Sequence, residues 1–516
     1  MKHIARSTLI IAVFFGLEKA LGFVRNVLIS RSFSENPELL DAFNAANNIP
    51  DMLFTLISGG ALAMALIPVL SEYIETKNRS ASWDLFSRIA NLVFLITLGI
   101  SILIAIFADQ LVSANIGIAP GFGPEQQALV AEMMRLNLIA TMLFSLAGLV
   151  IAGLQANQHF ILPALAPSMY DIGALVGILI LVPEVPLQVG PITLPAFGMG
   201  IYGLVYGTIL GAAMFLVVQI PGLFHYKFHW TPKVDLNHPG VKQVLVVLGP
   251  RVLTVFFIQL VFIVQDNLAS RLAAGSITAL VYGWLFAQVP ESLIGTAIGT
   301  ALLPTISEQA ARKDFGNFQK TVNSTLRVIM AMTIPLAAIL IAGIHPIIPI
   351  LGFDPVVTET VVWVTRAYLF GLVGLSIQEL AARSFYAQQD ARTPLFAITG
   401  TALGFFLLAI LFAGPLKMGA PGIALANTIA FTIQSIVMIW LLDRKFPGIA
   451  QVRNTFWRVF LVAVAGGVLV YLALNILPLD SLSMMTGILV TGVVLGATIM
   501  LTIPFIWSEI KLLLKM

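Results

Sequence analysis

The chain has no cysteine among its 516 residues. That absence excludes disulfides, thiolate nucleophiles, iron–sulfur clusters and cysteine-based zinc sites, and leaves the redox compartment unreadable. Histidine is scarce too. The six (His3, His159, His225, His229, His238 and His345) fall in or beside predicted loops, and none has a ligand spacing such as H-E-x-x-H. Only 10% of residues are charged, against about 25% in an ordinary soluble domain, so a soluble fold of this size would lack the polar surface to cover itself. The net charge of +3 is too small to suggest nucleic acid or a polybasic surface partner. No metal, no cofactor and no nucleic-acid partner is expected.

What the chain has instead is hydrophobicity. Apolar residues make up 58% of it and the mean hydropathy is +0.95. About half the sequence lies in apolar runs of 18 or more residues, each long enough to cross a hydrocarbon core of ~30 Å. The pattern predicts an all-α polytopic membrane protein with about fourteen spans, near 8–31, 38–74, 83–109, 124–156, 161–182, 197–224, 243–271, 276–309, 317–343, 356–388, 393–413, 419–442, 455–476 and 483–511. The first run follows Lys2 and Arg6 but continues to about Ile29 through Glu18, Lys19 and Arg25 with no A-x-A cleavage site, so it reads as a retained span rather than a signal peptide.

Lysine and arginine gather in alternate loops, as at Lys77, Arg79, Lys227, Lys233, Arg312 and Lys313, while the opposite loops hold almost none beyond Arg271 and Lys417. By the positive-inside rule both termini are expected in the cytoplasm, with 110–123 and 183–196 outside. Trp83, Trp457 and Trp507 stand near span ends, as an aromatic belt requires.

The sequence also repeats itself. Pro68, Ser71 and Glu72 of the second span recur as Pro304, Ser307 and Glu308 of the eighth, and Pro50-Asp51 is echoed by Pro290-Glu291. Ala156, Gln158 and Pro163 at the junction of spans 4 and 5 recur as Ala387, Gln389 and Pro394 at that of spans 10 and 11. Three landmarks in one order indicate a duplication: an N-lobe over 1–226, a C-lobe over 239–443, and an unrepeated pair over 455–511. Lobes with an even span number share orientation, so a pseudo-two-fold axis along the membrane normal and alternating access at the interlobe cleft are expected.

Leu21-Gly22-Phe23-Val24-Arg25-Asn26, Asp41-Ala42-Phe43 through Ile49-Pro50, Gly60-Ala61 through Ile67-Pro68-Val69-Leu70-Ser71-Glu72, Ile298-Gly299-Thr300-Ala301-Leu302-Leu303-Pro304 and Phe385-Tyr386-Ala387-Gln388-Gln389-Asp390-Ala391-Arg392-Thr393-Pro394 together resemble the MurJ/MviN-type lipid II flippases of the MOP exporter superfamily. The resemblance covers the whole chain. It implies a non-enzymatic transporter that moves a polyprenyl-pyrophosphate-linked peptidoglycan precursor, lipid II, from the inner to the outer leaflet of the bacterial cytoplasmic membrane. It further implies two six-helix lobes around a cationic cavity, a lipid-tail groove at the last two helices, and a monomer whose partners are the lipid-linked glycan and membrane lipids. Phe54 and Thr55 stand where the family usually has an arginine, Trp284, Leu285 and Gln288 where it has an Asp-Arg pair and a Glu, Lys19 for an arginine and Asn26 for an aspartate.

An ionisable residue at bilayer depth costs about 2.5–3.5 kcal/mol on insertion scales and therefore needs a partner, a wet cavity or a function. Lys19, Arg25, Arg251 and Gln259 are the candidate substrate-binding residues, because a pyrophosphate needs cationic donors at depth. Arg25 has a second reading as a structural or gating pair with Asp41, and Glu18 shares its helix face. Arg251 also reads as a snorkelling residue. Asp51 and Glu291, each after a proline, read as gating or packing groups, and Asp266 as a coupling site or a hydrogen-bonded helix contact. Pro50, Gly59, Gly60, Pro290, Gly295 and Gly299 are candidate hinges. Arg135 with Glu132 and Arg383 with Glu379 have the spacing of internal pairs. A flippase for another polyprenyl-linked glycan of the O-antigen type, or a multidrug exporter of the same superfamily, fits the same features. An intramembrane lipid-processing enzyme does not, since no catalytic constellation is visible.

Overall fold

The computed structural model describes the chain apart from Met1, residues 58–60 and residues 514–516. It folds as two compact units. The first, Met1–Asn267, holds α1 (Lys2–Ser32), α2 (Pro37–Ile57), α3 (Ala61–Thr76), α4 (Arg79–Ser113), α5 (Pro124–Ala156), α6 (Ile161–Val176), α7 (Ile201–Val217), α8 (Ile220–His225) and nearly all of α9 (Pro239–Ala269). The second, Leu268–Met516, holds α10 (Ser276–Glu291), α11 (Ala297–Ala311), α12 (Phe315–Gly343), α13 (Pro355–Phe370), α14 (Leu372–Ala387), α15 (Arg392–Ala413), α16 (Gly419–Lys445), α17 (Arg453–Ile476) and α18 (Met484–Leu513).

Helices dominate because a chain in hydrocarbon must satisfy every backbone group within its own segment. Polar residues cap them where they leave it. Asn78 accepts from the Ala81 amide at 2.8 Å to start α4, and Asp354 accepts from Val356 and Val357 before Pro355 opens α13. Among the described residues eleven helices are long and apolar enough to cross a membrane, and α13 with α14, bent by 42°, makes a twelfth as one broken span. α1, and α2 with α3, occupy the places of the first two expected spans.

The helix boundaries correct the sequence reading in three places. The expected span 356–388 breaks at Gly371, where a β-carbon would lie 2.7 Å from Thr428 Oγ1. The expected span 197–224 starts only at Ile201 and ends in the short α8. The segment 183–196, read as a loop, forms a small hairpin in which β1 (Leu187–Val189) pairs antiparallel with β2 (Ile192–Leu194).

In the first unit, α6 and α7 meet backbone to backbone. A β-carbon on Gly173 would lie 2.4 Å from Gly211 Cα, and one on Gly177 would lie 2.7 Å from Gly207 Cα. Such approach needs small residues, and it replaces the hydrophobic driving force that lipid removes. At one end of α4, Trp83, Phe86 and Phe228 pack edge to face with centroids 5.3–5.7 Å apart. α9, expected to open the C-lobe, packs on the first unit: a β-carbon on Gly240 would press on Leu85 and Tyr73.

In the second unit the core gathers Phe318, Leu380, Phe385 and Leu442 from α12, α14 and α16. α17 and α18 attach to α12 through Ile339, Val470 and Leu495.

The repeated junctions share one geometry. Gln158 and Gln389 both adopt the left-handed conformation, at φ 60° and 61°. The following amides, of His159 and Asp390, donate back to Leu154 and Phe385 at 2.9 and 3.0 Å, while Gln158 and Gln389 donate to Gln155 and Tyr386 at 2.9 Å. This is the Schellman pattern of hydrogen bonds, made also at Lys227 and Lys313, and at Gln158 and Gln389 it stands at matched sequence positions.

Two helices pass through single π-helical turns. α6 runs into one at Gly177–Leu181, and α10 reaches α11 through another at Ser292–Thr296, just after Pro290. Proline has no amide to donate, which loosens the ladder there.

Candidate functional site

The cationic candidates of the first unit lie on α1. Lys19 has about three-quarters of its side chain exposed, and its nearest partner is the neighbouring Glu18 at 3.4 Å. Arg25 is held. Its Nη1 donates to Asp171 Oδ1 at 2.6 Å and its guanidinium lies 4.9 Å from the centre of the Tyr170 ring. This corrects the expected pairing with Asp41. α1 packs along α6, not along its sequence neighbour α2, so the carboxylate that meets Arg25 comes from far down the chain. Asp41 is buried on α2, and Glu18 is turned to Lys19.

Asp266 is buried near the C-terminal end of α9 and accepts from Asn48 Nδ2 of α2 at 2.7 Å. Asn267 donates to the carbonyls of Asn115 and Gly117 at 2.9 and 2.5 Å. These contacts tie α9 to α2 and to the loop after α4, with a neutral amide as the partner of Asp266. Gln259 is half-buried on α9. The side chain of Arg251 lies outside the described residues, as do Gly59 and Gly60. Asp51 is exposed on α2, and Pro50 is buried with its carbonyl accepting from Thr141 at 3.3 Å.

In the second unit Glu291, Pro290 and Gly295 converge on the π-turn. Thr296 Oγ1 donates to Glu291 at 3.2 Å, and a β-carbon on Gly295 would lie 2.8 Å from Ser376 Oγ and 2.9 Å from Ser376 Cα. Gly299 faces Arg383, whose Nε donates to Glu379 at 2.8 Å, the expected pair. Arg135 does not pair with Glu132. It bonds Asp109 at 2.6 Å and the Ala105 carbonyl, while Glu132 accepts from Tyr202 at 2.6 Å. The reason is that α5 packs against both α4 and α7, which offer better geometry than neighbours on one helix.

Two groups were missed in the sequence. Asp171, an acid inside an apolar run, is the partner of Arg25. Glu509, fully buried on α18, takes Arg327 of α12 and Arg458 of α17 as partners. An acid near the end of the last apolar run, with an arginine in each of two others, was the available signal.

Outside the spans, burial and then repulsion from His225 push the His159 imidazole below its usual 6.5. Burial, followed by Arg88, does the same to His238. Burial alone would raise Asp390, but hydrogen bonds from Thr393 and Arg392 outweigh it and hold the carboxyl below the usual range.

Broken apolar helices, glycine-to-glycine crossings and a half-buried, carboxylate-paired cation on α1 define a polytopic membrane transporter. Its fold is shared with a solved inward-facing multidrug resistance MATE family transporter of the MOP superfamily, at a TM-score of 0.70 and 13% identity over 84% of this chain and 95% of that one. It is also shared with a lipid II flippase MurJ in the inward closed conformation, at a TM-score of 0.78 and 24% identity over 97% and 100%. The family model described as lipid II flippase MurJ matches residues 35–496, and the chain belongs to that family. It is 28% identical over 513 residues to the lipid II flippase MurJ of Burkholderia cenocepacia, covering 95% of each chain. It is 26% identical over 454 residues to a probable lipid II flippase MurJ of Synechocystis, covering 86% of this chain and 82% of that one.

Proposed function

We propose that the protein translocates lipid II from the cytoplasmic to the outer leaflet of the bacterial inner membrane by alternating access, with both termini cytoplasmic. Family membership supports the substrate. The single observation that carries the mechanism is the pair of cations on α1, where exposed Lys19 stands about two helical turns from Arg25, and Arg25 is held by one carboxylate.

A pyrophosphate approaching α1 meets the exposed Lys19 first, as a mobile point charge. Arg25 then exchanges Asp171 for the ligand, since a guanidinium binds either anion through the same fork. The resting pair keeps Arg25 neutralised at depth when no substrate is present, which avoids the cost of an unpaired buried charge. Release reforms the pair. In this reading Lys19 and Arg25 bind substrate, with Arg251 and Gln259 of α9 as further contacts. Pro50, Pro290, Gly295 and Gly299 serve as hinges, and Asp51 and Glu291 as the acids beside them. The matched Schellman corners support the duplication into lobes over 1–226 and 239–443, and the pair over 455–511 is assigned to the lipid tail. The chemistry is transport without bond breaking, by a monomer.

A second reading, a flippase for another polyprenyl-linked glycan, is favoured by Phe54, Thr55, Trp284 and Leu285 in place of family charges. The test is complementation of a flippase-depleted strain together with native mass spectrometry against lipid II and an undecaprenyl-linked O-antigen unit. Lys19→Ala with Arg25→Ala is expected to abolish growth while the protein still inserts. Growth with both changes would sink the mechanism built on these two cations, and preferential binding of the O-antigen unit would replace the substrate.

A further inference from the structure

The geometry points to a second anion site, away from α1: we infer that Arg327, Arg458 and Glu509 form a binding site for the phosphodiester headgroup of an anionic phospholipid. The inference rests on the membrane reading above but not on the identity of the transported substrate.

Glu509 has no exposed surface. Its Oε1 accepts from Arg458 Nη2 at 2.5 Å and from Arg327 Nη2 at 3.3 Å, and Ser508 Oγ donates to Oε2 at 2.6 Å. Thr455 completes the cluster by accepting from Arg327 Nε at 2.9 Å. A buried carboxylate needs one cation for neutrality. It has two here, so the cluster keeps a surplus positive charge. Both guanidinium groups reach the surface, with 36% and 43% of their side chains exposed. The acid fixes the inner edge of each arginine and leaves the outer edge turned outward.

The depth fits a headgroup. Arg458 is about 8 Å inside the start of α17 and Glu509 about 6 Å inside the end of α18, at 1.5 Å per residue. Trp457, Phe460 and Trp507 are exposed alongside, which is the aromatic signature of the membrane–water boundary. Arg453 and Lys511 are exposed at the same helix ends. A basic pocket between helices at this level takes a phosphate that carries one negative charge, and planar guanidinium groups bind it in bidentate fashion.

Arg458→Gln separates binding from folding, because Arg327 remains to neutralise Glu509 and the cluster becomes uncharged rather than unpaired. The full chain is placed in nanodiscs of equal parts phosphatidylglycerol and phosphatidylcholine, and retained lipid is counted by native mass spectrometry. Wild type is expected to retain phosphatidylglycerol preferentially. Arg458→Gln is expected to lower that retention about fivefold, the worth of one interfacial arginine, and Arg444→Gln, the same charge change on α16, to leave it unaltered. Arg327→Gln has the same logic and serves if Arg458→Gln fails to insert. Equal retention in Arg458→Gln and wild type overturns the site, as does an equal loss in Arg444→Gln. In phosphatidylcholine discs, stabilisation of wild type by inorganic phosphate without any phosphatidylglycerol preference would assign the arginines to free phosphate and overturn the lipid assignment. Retention is read without transport, so its failure is distinct from a failure of the flippase reading.

Discussion

Asp171 and Tyr170, adjacent on α6, grip the Arg25 guanidinium from two directions, one through a 2.6 Å hydrogen bond and the other through its ring face. Breaking such a pair from one side leaves a buried charge alone, at a cost of about 3–5 kcal/mol. Arg25→Ala is therefore expected to lower the thermal stability of the purified protein by that order, and Lys19→Ala by no more than about 0.5 kcal/mol, as for an ordinary surface change. Asp171→Asn removes the competitor for the guanidinium and is expected to tighten binding of a pyrophosphate lipid. Weaker binding by Asp171→Asn would mean that the carboxylate presents Arg25 to substrate and does not compete with it.

Stability should depend on pH through the two histidines held below their usual 6.5. Both are more readily protonated in the unfolded chain, so unfolding takes up protons as pH falls from 6.5 toward the folded values. The stabilising contribution is complete above 6.5 and is lost across that window. Melting temperatures between pH 5 and 8 are expected to rise with pH, and His159→Gln with His238→Gln should flatten the curve. An unchanged slope in the double variant would move the effect to other groups.

The glycine contacts of α6 and α7 allow a sharp comparison. Gly173→Ala and Gly211→Ala force backbones apart and are expected to cost about 1–3 kcal/mol each by thermal unfolding in detergent. Gly400 has open space around its Cα, so Gly400→Ala should be neutral or slightly stabilising. Equal effects at all three positions would show that the crossing relaxes freely.

Gln158 and Gln389 each hold a backbone conformation that costs a residue other than glycine roughly 1–2 kcal/mol. Gln158→Gly and Gln389→Gly are each expected to stabilise the protein, by up to about 1 kcal/mol and with the same sign. Opposite signs would indicate that only one corner is a local device and that the other glutamine is held by its side chain.

The spans and the junctions at Gln158 and Gln389 were legible because they depend on local pattern: apolar length, proline placement and a glutamine at a helix end. Partners were not. Asp41 looked like the mate of Arg25 because it starts the next helix, whereas packing set α1 against α6 and brought Asp171 instead. Glu132 lost Arg135 to Asp109 for the same reason. Pro290 announced a weak point in its helix, but the close approach of Gly295 to Ser376 of α14 in the π-turn beside it is a tertiary contact that no local pattern gives. The Glu509 cluster joins α12 to the last two helices, with Arg327 182 residues from Glu509, so no spacing rule could assemble it.

Gly173 against Gly211 and Gly177 against Gly207 also have a mechanical meaning. Two helices touching at their backbones on successive turns have no compliant side chains between them, and a slip by one residue would drive Cα into Cα. α6 and α7 therefore move as one stiff rod. In the proposed cycle, a pull on Asp171 when Arg25 changes partner would pass to α7 through these backbone contacts, with a single salt bridge as the handle of the lever.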